Sequence, residues 1–389
     1  RPSPDAPRLR VEPRASPLMG WSAPHPGVTL GATTSKEEYR MRIKPKPNAA
    51  TYGVDIGKKV FHVVALDTEG HPIQRAKFSR ETLLRFFAAA DRAVIGMEAC
   101  AGSQWLARKL YAIGHDARII PAKFVKPYVK SNKSDTIDAE AIAEAVTRPT
   151  MRFVQVRSEA QVDLQALHRI RDRLIRNRTG LMNQARAFCI EYGLTMRKGA
   201  GGFHNDIRRH LADEENDLSS AMRGLLTDLL DDLAHIEKRV AELTKEIEAI
   251  AHSDETVRRL LTIPGIGALG ATALVAAAGD GRQFRKARDM AAWLGLVPAE
   301  HSSGGKQTLL GISKRGNGYV RRLIIHGARS CFLHLHRETH ALGRWLSALE
   351  ERTHRNKAVV ALANKLTRIA WAILTRPGEN YLRTKGAAA

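Results

Sequence analysis

The sequence has few cysteines, no long apolar run and a shortage of acidic residues. Its three cysteines, Cys100, Cys189 and Cys331, are scattered along 389 residues and odd in number. They form neither a disulfide framework nor a zinc site, which is typical of a protein in a reducing cytoplasm. Because no stretch of eighteen apolar residues occurs and no basic segment precedes an apolar one at the start, we expect neither a membrane-spanning helix nor export.

The shortage of acidic residues leaves a large excess of positive charge. There are 62 Lys and Arg residues against 40 Asp and Glu residues, which gives a formal net charge of +22 and a pI near 10.3. Such an excess favours a polyanionic partner, most often a nucleic acid, over a merely soluble basic protein. The 43% hydrophobic content is sufficient for packed cores, and the length predicts two or three domains.

Residues 1–48 differ in composition from the rest of the chain. Nine of the 16 prolines lie here, among Arg, Ser and Gly residues and without a hydrophobic period. Such a segment cannot bury enough apolar surface to offset the entropy of ordering it, so we predict a disordered Pro/Arg-rich extension. Met41 would be a natural start, so an upstream read-through is one interpretation of the residues before it.

Residues 49–150 predict an α/β domain. Apolar side chains alternate with others over residues 51–57, which predicts a strand, and two further strands are predicted over 60–66 and 72–79. Strands and helices then alternate over residues 80–146. Strands followed by such alternation indicate a mixed sheet.

Residues 151–252 predict long helices. Apolar residues in the second half alternate spacings of four and three, which is the a/d seam of a coiled coil over four repeats. The seam residues are Met222, Leu226, Leu229, Leu233, Ile236, Val240, Leu243, Ile247 and Ile250. A glycine-rich stretch at 199–202 separates this helix from an earlier one, which predicts an antiparallel hairpin. The basic face of the earlier helix consists of Arg169, Arg173 and Arg176. The pattern fits an intramolecular helical pair and a dimerisation arm equally well.

Residues 253–376 predict a second, mainly helical domain, followed by a tail at 377–389. Residues 262–274 read as helix, tight turn and helix, in which Gly265 and Gly267 permit a close backbone approach. This pattern is typical of a helix-hairpin-helix, which holds a DNA phosphate through backbone N–H groups without reading bases. A glycine- and proline-rich helix connection has the same local pattern.

Four acidic residues occupy positions typical of a metal site. Asp55 lies on the polar face of the first strand, Glu98 follows a buried strand, and Asp135 and Asp138 share one face at the start of a helix. Oxygen ligands suit Mg²⁺, and two ions about 4 Å apart can clamp the attacking and leaving oxygens of a phosphodiester. Asp135 and Asp138 alone could simply be acids favoured by the helix dipole. All four, in a chain of charge +22, favour metal-dependent phosphodiester chemistry.

Ser302 and Ser303 lie in a glycine-rich loop that ends at Lys306. In most proteins such a serine pair belongs to a flexible loop without a chemical role. Here a densely cationic run follows at residues 312–322. Its cations could hold DNA phosphates and stabilise the charge on a phosphoryl group in transfer. These cations are Lys314, Arg315, Arg321 and Arg322.

Three motifs carry a resemblance to a known family. They are Tyr-Gly-Val-Asp-Ile-Gly at 52–57, Met-Glu-Ala at 97–99 and Lys-Ser-Asp-Thr-Ile-Asp-Ala at 133–139. With them the chain resembles the DEDD-type transposases of the insertion sequence one-ten family. The first domain of that family is similar to the RuvC-like, RNase H-fold resolvases of Holliday junctions. The segment from Ile263 to about Ser330 resembles the family's second conserved domain.

The resemblance implies an α/β RNase H-like (RuvC-like) domain, a long helical coiled-coil segment and a mainly α C-terminal domain with a helix-hairpin-helix. It implies that Asp55, Glu98, Asp135 and Asp138 hold Mg²⁺ (or Mn²⁺). It also implies that Ser303, or Ser302 if the register shifts by one, attacks DNA to form a phosphoserine intermediate. The implied partners are element-end and target DNA, a structured guide RNA and further copies of the chain in a dimer or tetramer, in the cytoplasm of a prokaryote.

Three other functions fit parts of the sequence. A Holliday-junction-resolvase-like nuclease would hydrolyse DNA with the four acids and would not need Ser303. An actin-like or sugar-kinase ATPase would share the pattern Asp55-Ile56-Gly57 with its first phosphate loop, but it would need further glycine-rich nucleotide loops where residues 255–376 are helical and basic. A non-enzymatic DNA-binding scaffold would leave the acids without a role.

Overall fold

The computed structural model describes residues 43–130 and 134–381, so the predicted extension up to residue 42, Lys133 of the third motif and the tail from residue 382 lie outside the described residues. The N-terminal domain contains strands β1 Thr51–Ile56, β2 Phe61–Leu66, β3 Pro72–Phe78, β4 Val94–Glu98 and β5 Asp116–Ile120. Its helices are α1 Arg80–Ala88, α2 Ser103–Ala112, α3 Ala122–Val125 and α4 Asp135–Val146.

The rest of the described chain is mostly helical. Three helices form what we call the arm: α5 Glu159–Ile190, α6 Ala200–Ala212 and α7 Ser220–Ser253. The C-terminal region contains helices α8 Glu255–Leu261, α9 Ala268–Ala278, α10 Ala287–Trp293, α11 Gly318–His334, α12 Ala341–Glu350 and α13 Arg355–Thr375. Two short strands, β6 Pro298–Glu300 and β7 Leu309–Ile312, interrupt these helices.

The five strands of the N-terminal domain form one mixed sheet in the order β3-β2-β1-β4-β5. Strand β2 is antiparallel to both β1 and β3, whereas β4 is parallel to both β1 and β5. The predicted mixed sheet is therefore confirmed, and its topology fits an RNase H-like fold. Helices cover both faces, as a sheet with parallel strands requires.

Aromatic side chains fill one face of the sheet. Tyr52 of β1 meets Phe86 and Phe87 of α1 edge-on, with ring centroids 6.0 and 5.2 Å apart. Phe78 of β3 packs against Phe86 in the same cluster. Edge-on aromatic pairs add about 0.5–1.5 kcal/mol to the stabilisation from burial, so this layer firmly fixes the orientation of β1.

Helix α4 lies against the opposite face, and two glycines let it approach closely. A Cβ atom on Gly53 would lie 2.0 Å from the carbonyl oxygen of Ala139, and one on Gly96 would lie 2.8 Å from Cβ of Val146. Because alternate residues of a strand share a face, Asp55 and Glu98 lie on the side of the sheet that α4 covers. The two glycines thus let α4 lie close to the face that carries Asp55 and Glu98.

Helices α5 and α7 of the arm form an antiparallel pair. Nε of Arg171 donates to Oγ1 of Thr244 at 2.7 Å toward one end, and the hydroxyls of Tyr192 and Ser219 lie 3.4 Å apart at the other. All nine seam residues are buried or half-buried, and Leu233 is only 1% exposed. The seam therefore packs within this chain, as the intramolecular interpretation expected.

The glycine-rich stretch at 199–202 separates the two long helices, as predicted, but it also begins a helix of its own, α6. Gly199 precedes the helix with a φ of 87°, in the left-handed region that glycine tolerates. Phe203 and Ile207 of α6 are buried beside Leu226 of α7. Burial of these apolar side chains outweighs the poor helix propensity of two glycines, about 1 kcal/mol each.

Helix α13 forms the centre of the C-terminal core. By length and composition it is apolar enough to cross a membrane, although it contains no unbroken run of eighteen apolar residues. Half of its most apolar window is buried inside the protein. Leu362, Leu366 and Ala370 are fully buried in the core that α13 shares with α9 and α11. This packing is that of a core helix.

Candidate active site

Asp55 and His62 face each other across strands β1 and β2, where they are paired in antiparallel register. His62 is only 8% exposed, and its Nδ1 lies 3.4 Å from Oδ2 of Asp135 at the start of α4. The ligand atoms of Asp55, His62 and Asp135 all lie within 4.8 Å of one another. The structure therefore brings together residues from two strands and a helix that are 80 positions apart in sequence.

The pKa of Asp55 is raised above its ordinary value. Burial of the carboxyl group is the largest cause, followed by repulsion from Asp135 and Asp138. Glu98 adds further repulsion, and His62 opposes it. All four predicted acids, which we call the acid cluster, thus share one electrostatic neighbourhood around Asp55.

Local structure explains why both aspartates of α4 are directed to this place. The hydroxyl of Ser134 caps the helix by accepting a hydrogen bond from the Ile137 N–H at 3.3 Å. Asp135 is the first helical residue, and Asp138 follows almost one turn later on the same face. The helix dipole favours negative charge at this end, by about 0.3–1 kcal/mol, and partly offsets the repulsion within the acid cluster.

This set of donors fits a divalent cation. Carboxylate oxygens bind Mg²⁺ at about 2.0–2.1 Å, and one ligand atom from each of Asp55, His62 and Asp135 lies within 4.8 Å of the other two. A cation would also neutralise the repulsion that raises the pKa of Asp55. Nδ1 of His62 is buried without a hydrogen bond among the described residues, so the cluster also contains a polar atom that lacks a partner.

Strands β6 and β7 form a hairpin, which we call the serine hairpin (residues 298–312), where a flexible loop was predicted. Gly304 and Gly305 have φ values of 56° and 77°, and the N–H of Lys306 donates to the carbonyl of Ser303 at 3.0 Å. Two consecutive positive φ values define the type I′ turn that joins strands through two residues. Ser303 therefore has a defined position beside the turn, and it is exposed.

The two serines of the hairpin differ in their contacts. The hydroxyl of Ser302 donates to Oε1 of Glu300 at 2.6 Å and accepts from the N–H of Thr308 at 3.2 Å. This hydrogen bond from Ser302 is the main reason that the pKa of Glu300 is lowered. Within residues 43–130 and 134–381 the hydroxyl of Ser303 forms no hydrogen bond. Ser302 stabilises the hairpin, and Ser303 keeps an available hydroxyl.

The serine hairpin and the acid cluster belong to different parts of the chain. Across the described ranges, no hydrogen bond or ion pair connects the hairpin to any of the four acids. The acids thus interact with one another, and within the described residues Ser303 makes no polar contact with them.

The predicted DNA-binding cations fall into two groups. Most have exposed side chains, as contact with DNA phosphates would require. These are Lys306, Lys314, Arg315, Arg169, Arg173, Arg176 and Arg322, of which Arg176 also pairs with Asp172 at 3.5 Å. Arg321 instead donates through Nη1 to the carbonyls of Leu294 and Arg315, at 2.9 and 2.8 Å. Arg322 forms an ion pair with Asp172 of the arm. Arg321 and Arg322 thus hold the start of α11 against neighbouring elements. The spacing of residues in the sequence did not predict this structural role.

Gly265 and Gly267 also differ in their surroundings. Gly265 has a φ of 83° within a turn closed by the Ile266 N–H and the Ile263 carbonyl, which are 3.0 Å apart. A Cβ atom on Gly265 would lie 2.5 Å from the carbonyl oxygen of Gly327, so this glycine permits close packing with α11. Gly267, by contrast, is exposed at the start of α9, and nothing lies within 4 Å of the position of its Cβ. Close packing against α11 explains why residue 265 is a glycine, whereas Gly267 leaves the N-terminus of α9 accessible.

A buried histidine connects the arm to both of these elements. Nδ1 of His168 lies 2.9 Å from the hydroxyl of Tyr319 on α11, and Nε2 lies 3.0 Å from Oγ1 of Thr272 on α9. Thr272 already donates its hydroxyl hydrogen to the carbonyl of Ala268 at 2.6 Å. Nε2 must therefore carry the proton and donate to Thr272, while Nδ1 accepts from Tyr319. Burial lowers the pKa of His168 to about 4.

This histidine predicts a pH-dependent stability. Because its folded-state pKa lies below the ordinary value of 6.5, the unfolded chain binds the proton first. The stability that neutral His168 contributes is complete above pH 6.5 and is lost as the pH falls toward 4. We expect the free energy of unfolding to fall by about 2 kcal/mol from this group between pH 7.5 and pH 5, measured by urea unfolding.

The variant His168→Gln should lose that part of the pH dependence, because glutamine stays neutral. His326→Gln, which changes an exposed histidine of α11, should behave like the parent chain and serves as the control. An equal loss of stability in the His168→Gln variant and the parent would contradict the prediction.

Comparisons with known proteins bear on both parts of the chain. A family model described as Transposase IS116/IS110/IS902 family matches residues 257–343, and a DEDD transposase model matches residues 52–192. A probable family 20 transposase of Pseudomonas aeruginosa is 44% identical over 330 residues, which cover 85% of this chain and 98% of that protein. The chain belongs to the IS116/IS110/IS902 family of transposases.

Two further relatives in this transposase family are named for insertion sequences. The transposase for IS1111A of Coxiella burnetii is 42% identical over 338 residues, which cover 87% of this chain and 93% of that protein. The transposase for IS1328 of Yersinia enterocolitica is 41% identical over 332 residues, which cover 85% and 98%. The chain is therefore a DNA transposase. The DEDD match spans the acid cluster, and the other match spans the serine hairpin and Gly265.

Proposed function

We propose that this transposase cuts DNA strands and rejoins them to new partners, with Ser303 as the nucleophile and with Mg²⁺ (or Mn²⁺) held by the acid cluster. The observation that carries the proposal is the position of α4 on the sheet, which gathers Asp135 and Asp138 around Asp55. Each acid taken alone could have a purely structural role at the end of a helix or a strand. Their shared neighbourhood, with the raised pKa of Asp55, supports a binding role instead.

The chemistry of Ser303 follows from its setting. Its Oγ would attack the phosphorus atom, forming a Ser–phosphate ester as the bond to the leaving oxygen of the cut strand breaks. The serine proton is released and the leaving oxygen acquires one, so charge and atoms balance. Attack by the hydroxyl of a new strand reverses these changes and restores Ser303. Because the ester conserves the energy of the phosphodiester, strand exchange needs no ATP.

The residues around Ser303 support attack on a polyanion. Lys306 closes the turn beside it, and Lys314 and Arg315 are exposed beyond the second strand of the hairpin. These cations would hold DNA phosphates and counter the charge that develops on phosphorus. A divalent ion bound by the acid cluster would supply Lewis-acid stabilisation of that charge. The hairpin and the cluster must then approach each other when DNA binds, within one chain or between two copies.

Cleavage by a serine nucleophile leaves DNA covalently bound to the protein, whereas hydrolysis does not. This difference tests the proposal. The enzyme is incubated with labelled element-end DNA and Mg²⁺ and then denatured. We expect label to remain on the protein, on a peptide that contains Ser303. Strand cleavage without any protein-bound DNA would instead identify a hydrolytic nuclease.

The resemblance to the family also motivates two partners. A structured RNA encoded by the element would guide the choice of DNA, and a net charge of +22 is compatible with holding RNA and DNA together. Sequencing of the RNA that copurifies with the protein tests this part. We expect one structured species that matches the DNA flanking the gene. Recovery of only random host RNA would remove the guide from the proposal.

Assembly into a dimer or tetramer would bring two DNA partners together, and the arm provides a surface for it. Ile190 and Leu225 are 61% and 55% exposed, near the end of the arm where Tyr192 meets Ser219. The variant Leu225→Glu should lower the mass measured by light scattering, because it places a charge on an exposed apolar surface. Lys238→Glu, at an exposed polar position of α7, is the control. An unchanged mass for Leu225→Glu would contradict the assignment of this surface.

Substitutions in the seam cannot serve this purpose. Leu233 and Val240 are 1% and 8% exposed inside the arm, so charges there would open the packing of α5, α6 and α7. The loss of buried leucine contacts alone costs about 2–5 kcal/mol. A fall in activity would then report unfolding rather than assembly.

A further inference from the structure

His62 is a histidine in an otherwise apolar strand. Its neighbours along β2, Phe61 and Val63, are buried, and β2 as a whole is buried between β1 and β3. Nδ1 of His62 has no hydrogen bond among the described residues. A buried polar atom without a partner is unfavourable, so its position calls for an explanation.

An ordinary hydrogen bond to Asp135 does not provide that explanation. Nδ1 lies 3.4 Å from Oδ2 of Asp135, longer than the usual 2.7–3.2 Å for an N–H donor, and the contact does not meet hydrogen-bond geometry. The ring nitrogen is instead directed among carboxylates. Asp55 lies directly across from it on β1, and one ligand atom from each of the three residues falls within the same 4.8 Å.

We propose that Nδ1 of His62 is a direct ligand of the divalent cation held by the acid cluster, so that the site has a mixed nitrogen and oxygen donor set. This inference rests on the metal site of the proposed function and goes beyond the four acids. Nδ1 would bind through its lone pair, with the ring proton on Nε2.

A nitrogen donor changes which cation the site prefers. Mg²⁺ binds oxygen ligands and gives up its water reluctantly, whereas an imidazole nitrogen favours first-row transition cations. We therefore expect the site to bind Mn²⁺ more tightly than Mg²⁺, and His62 to be the reason for that preference. The preference is a property of binding and does not depend on turnover.

The test uses the full-length protein with Mn²⁺, followed by pulsed electron paramagnetic resonance. In the parent chain we expect the modulation from a directly bound ¹⁴N nucleus, which changes to the ¹⁵N pattern when the protein is made with ¹⁵N-histidine. This measurement needs no variant, so it remains valid if a substitution impairs folding. Absence of nitrogen modulation in Mn²⁺-loaded parent protein would overturn the assignment.

The variant His62→Gln should lose the nitrogen signal and weaken Mn²⁺ binding by at least about tenfold, since loss of even an outer-shell partner costs about 10–100-fold. Its affinity for Mg²⁺ should change less. His71→Gln is the matched control, because His71 also lies near two acids, at 3.7 Å from Asp67 and 3.5 Å from Glu69, but in an exposed turn. A nitrogen signal that persists in His62→Gln overturns the proposal.

A second variant separates this inference from the proposed function. Asp55→Asn should remove Mn²⁺ binding altogether. If binding survives in Asp55→Asn, the metal site of the proposed function is wrong, and the assignment of His62 is wrong with it. If Asp55→Asn loses binding while His62→Gln retains both affinity and signal, only the role of His62 is refuted.

Discussion

Ser303→Ala is expected to lower strand exchange by about a thousandfold or more and to eliminate the covalent protein–DNA adduct. Removal of a nucleophile leaves only the catalysis that binding and charge stabilisation supply. DNA binding should persist, because the exposed Lys306, Lys314 and Arg315 are unchanged. The measurements are recombination of labelled element-end DNA, recovery of labelled protein after denaturation, and DNA binding by gel shift.

Ser302→Ala is the matched control for this experiment. It removes an adjacent hydroxyl of the same kind, together with the contacts to Glu300 and Thr308 that stabilise the serine hairpin. We expect slower exchange but a normal adduct on Ser303. Label on a Ser302 peptide, or full exchange by Ser303→Ala, would show that the nucleophile is assigned to the wrong residue.

Asp55→Asn should abolish strand cleavage without lowering the stability of the fold. Because the folded-state pKa of Asp55 is raised, its charge is unfavourable in the folded protein at neutral pH, and the neutral amide relieves repulsion from Asp135 and Asp138. Thermal melting without metal should therefore stay level or rise. Cleavage should fall to background, since the amide is a weaker metal ligand, and Asp138→Asn should have the same effect on cleavage.

Asp67→Asn provides the contrast. The pKa of Asp67 is lowered, chiefly by a hydrogen bond from the backbone N–H of His71, so its charge is favourable in the folded turn. We expect this variant to melt slightly lower and to cleave DNA normally. Near-normal recombination by Asp55→Asn or Asp138→Asn would refute the metal-binding role of the acid cluster.

Local patterns in the sequence were sufficient to predict the sheet and most of its helices. Alternation around Val54 predicted β1, and the strands predicted over 60–66 and 72–79 match β2 and β3 to within one residue. The four acids could be proposed as metal ligands because each lies in or next to a strand or helix whose bounds the sequence predicts. Their gathering depends on Gly53 and Gly96, whose importance becomes clear only when α4 is seen against them.

Other features depend on contacts that no local pattern records. His62 was not predicted, because it lies in an apolar run and acquires its role only through the register that pairs it with Asp55. The serine hairpin was missed because Gly304 and Gly305 suit a flexible loop as well as a type I′ turn. The sequence alone did not decide which helix packs against the heptad seam, because the spacing of apolar residues reveals an apolar stripe but not what covers it.

The close approach of α4 to Gly53 also limits how a gene of this kind tolerates mutation. Every amino-acid substitution at that codon adds a Cβ atom, and the position of that atom is only 2.0 Å from the backbone oxygen of Ala139. A single nucleotide change can therefore displace the helix that carries Asp135 and Asp138 while leaving every acid in place. A transposase gene can thus lose its activity through such a change while its acidic motifs stay intact. An intact set of acids in a sequence is an incomplete guide to which of these genes still encode an active enzyme.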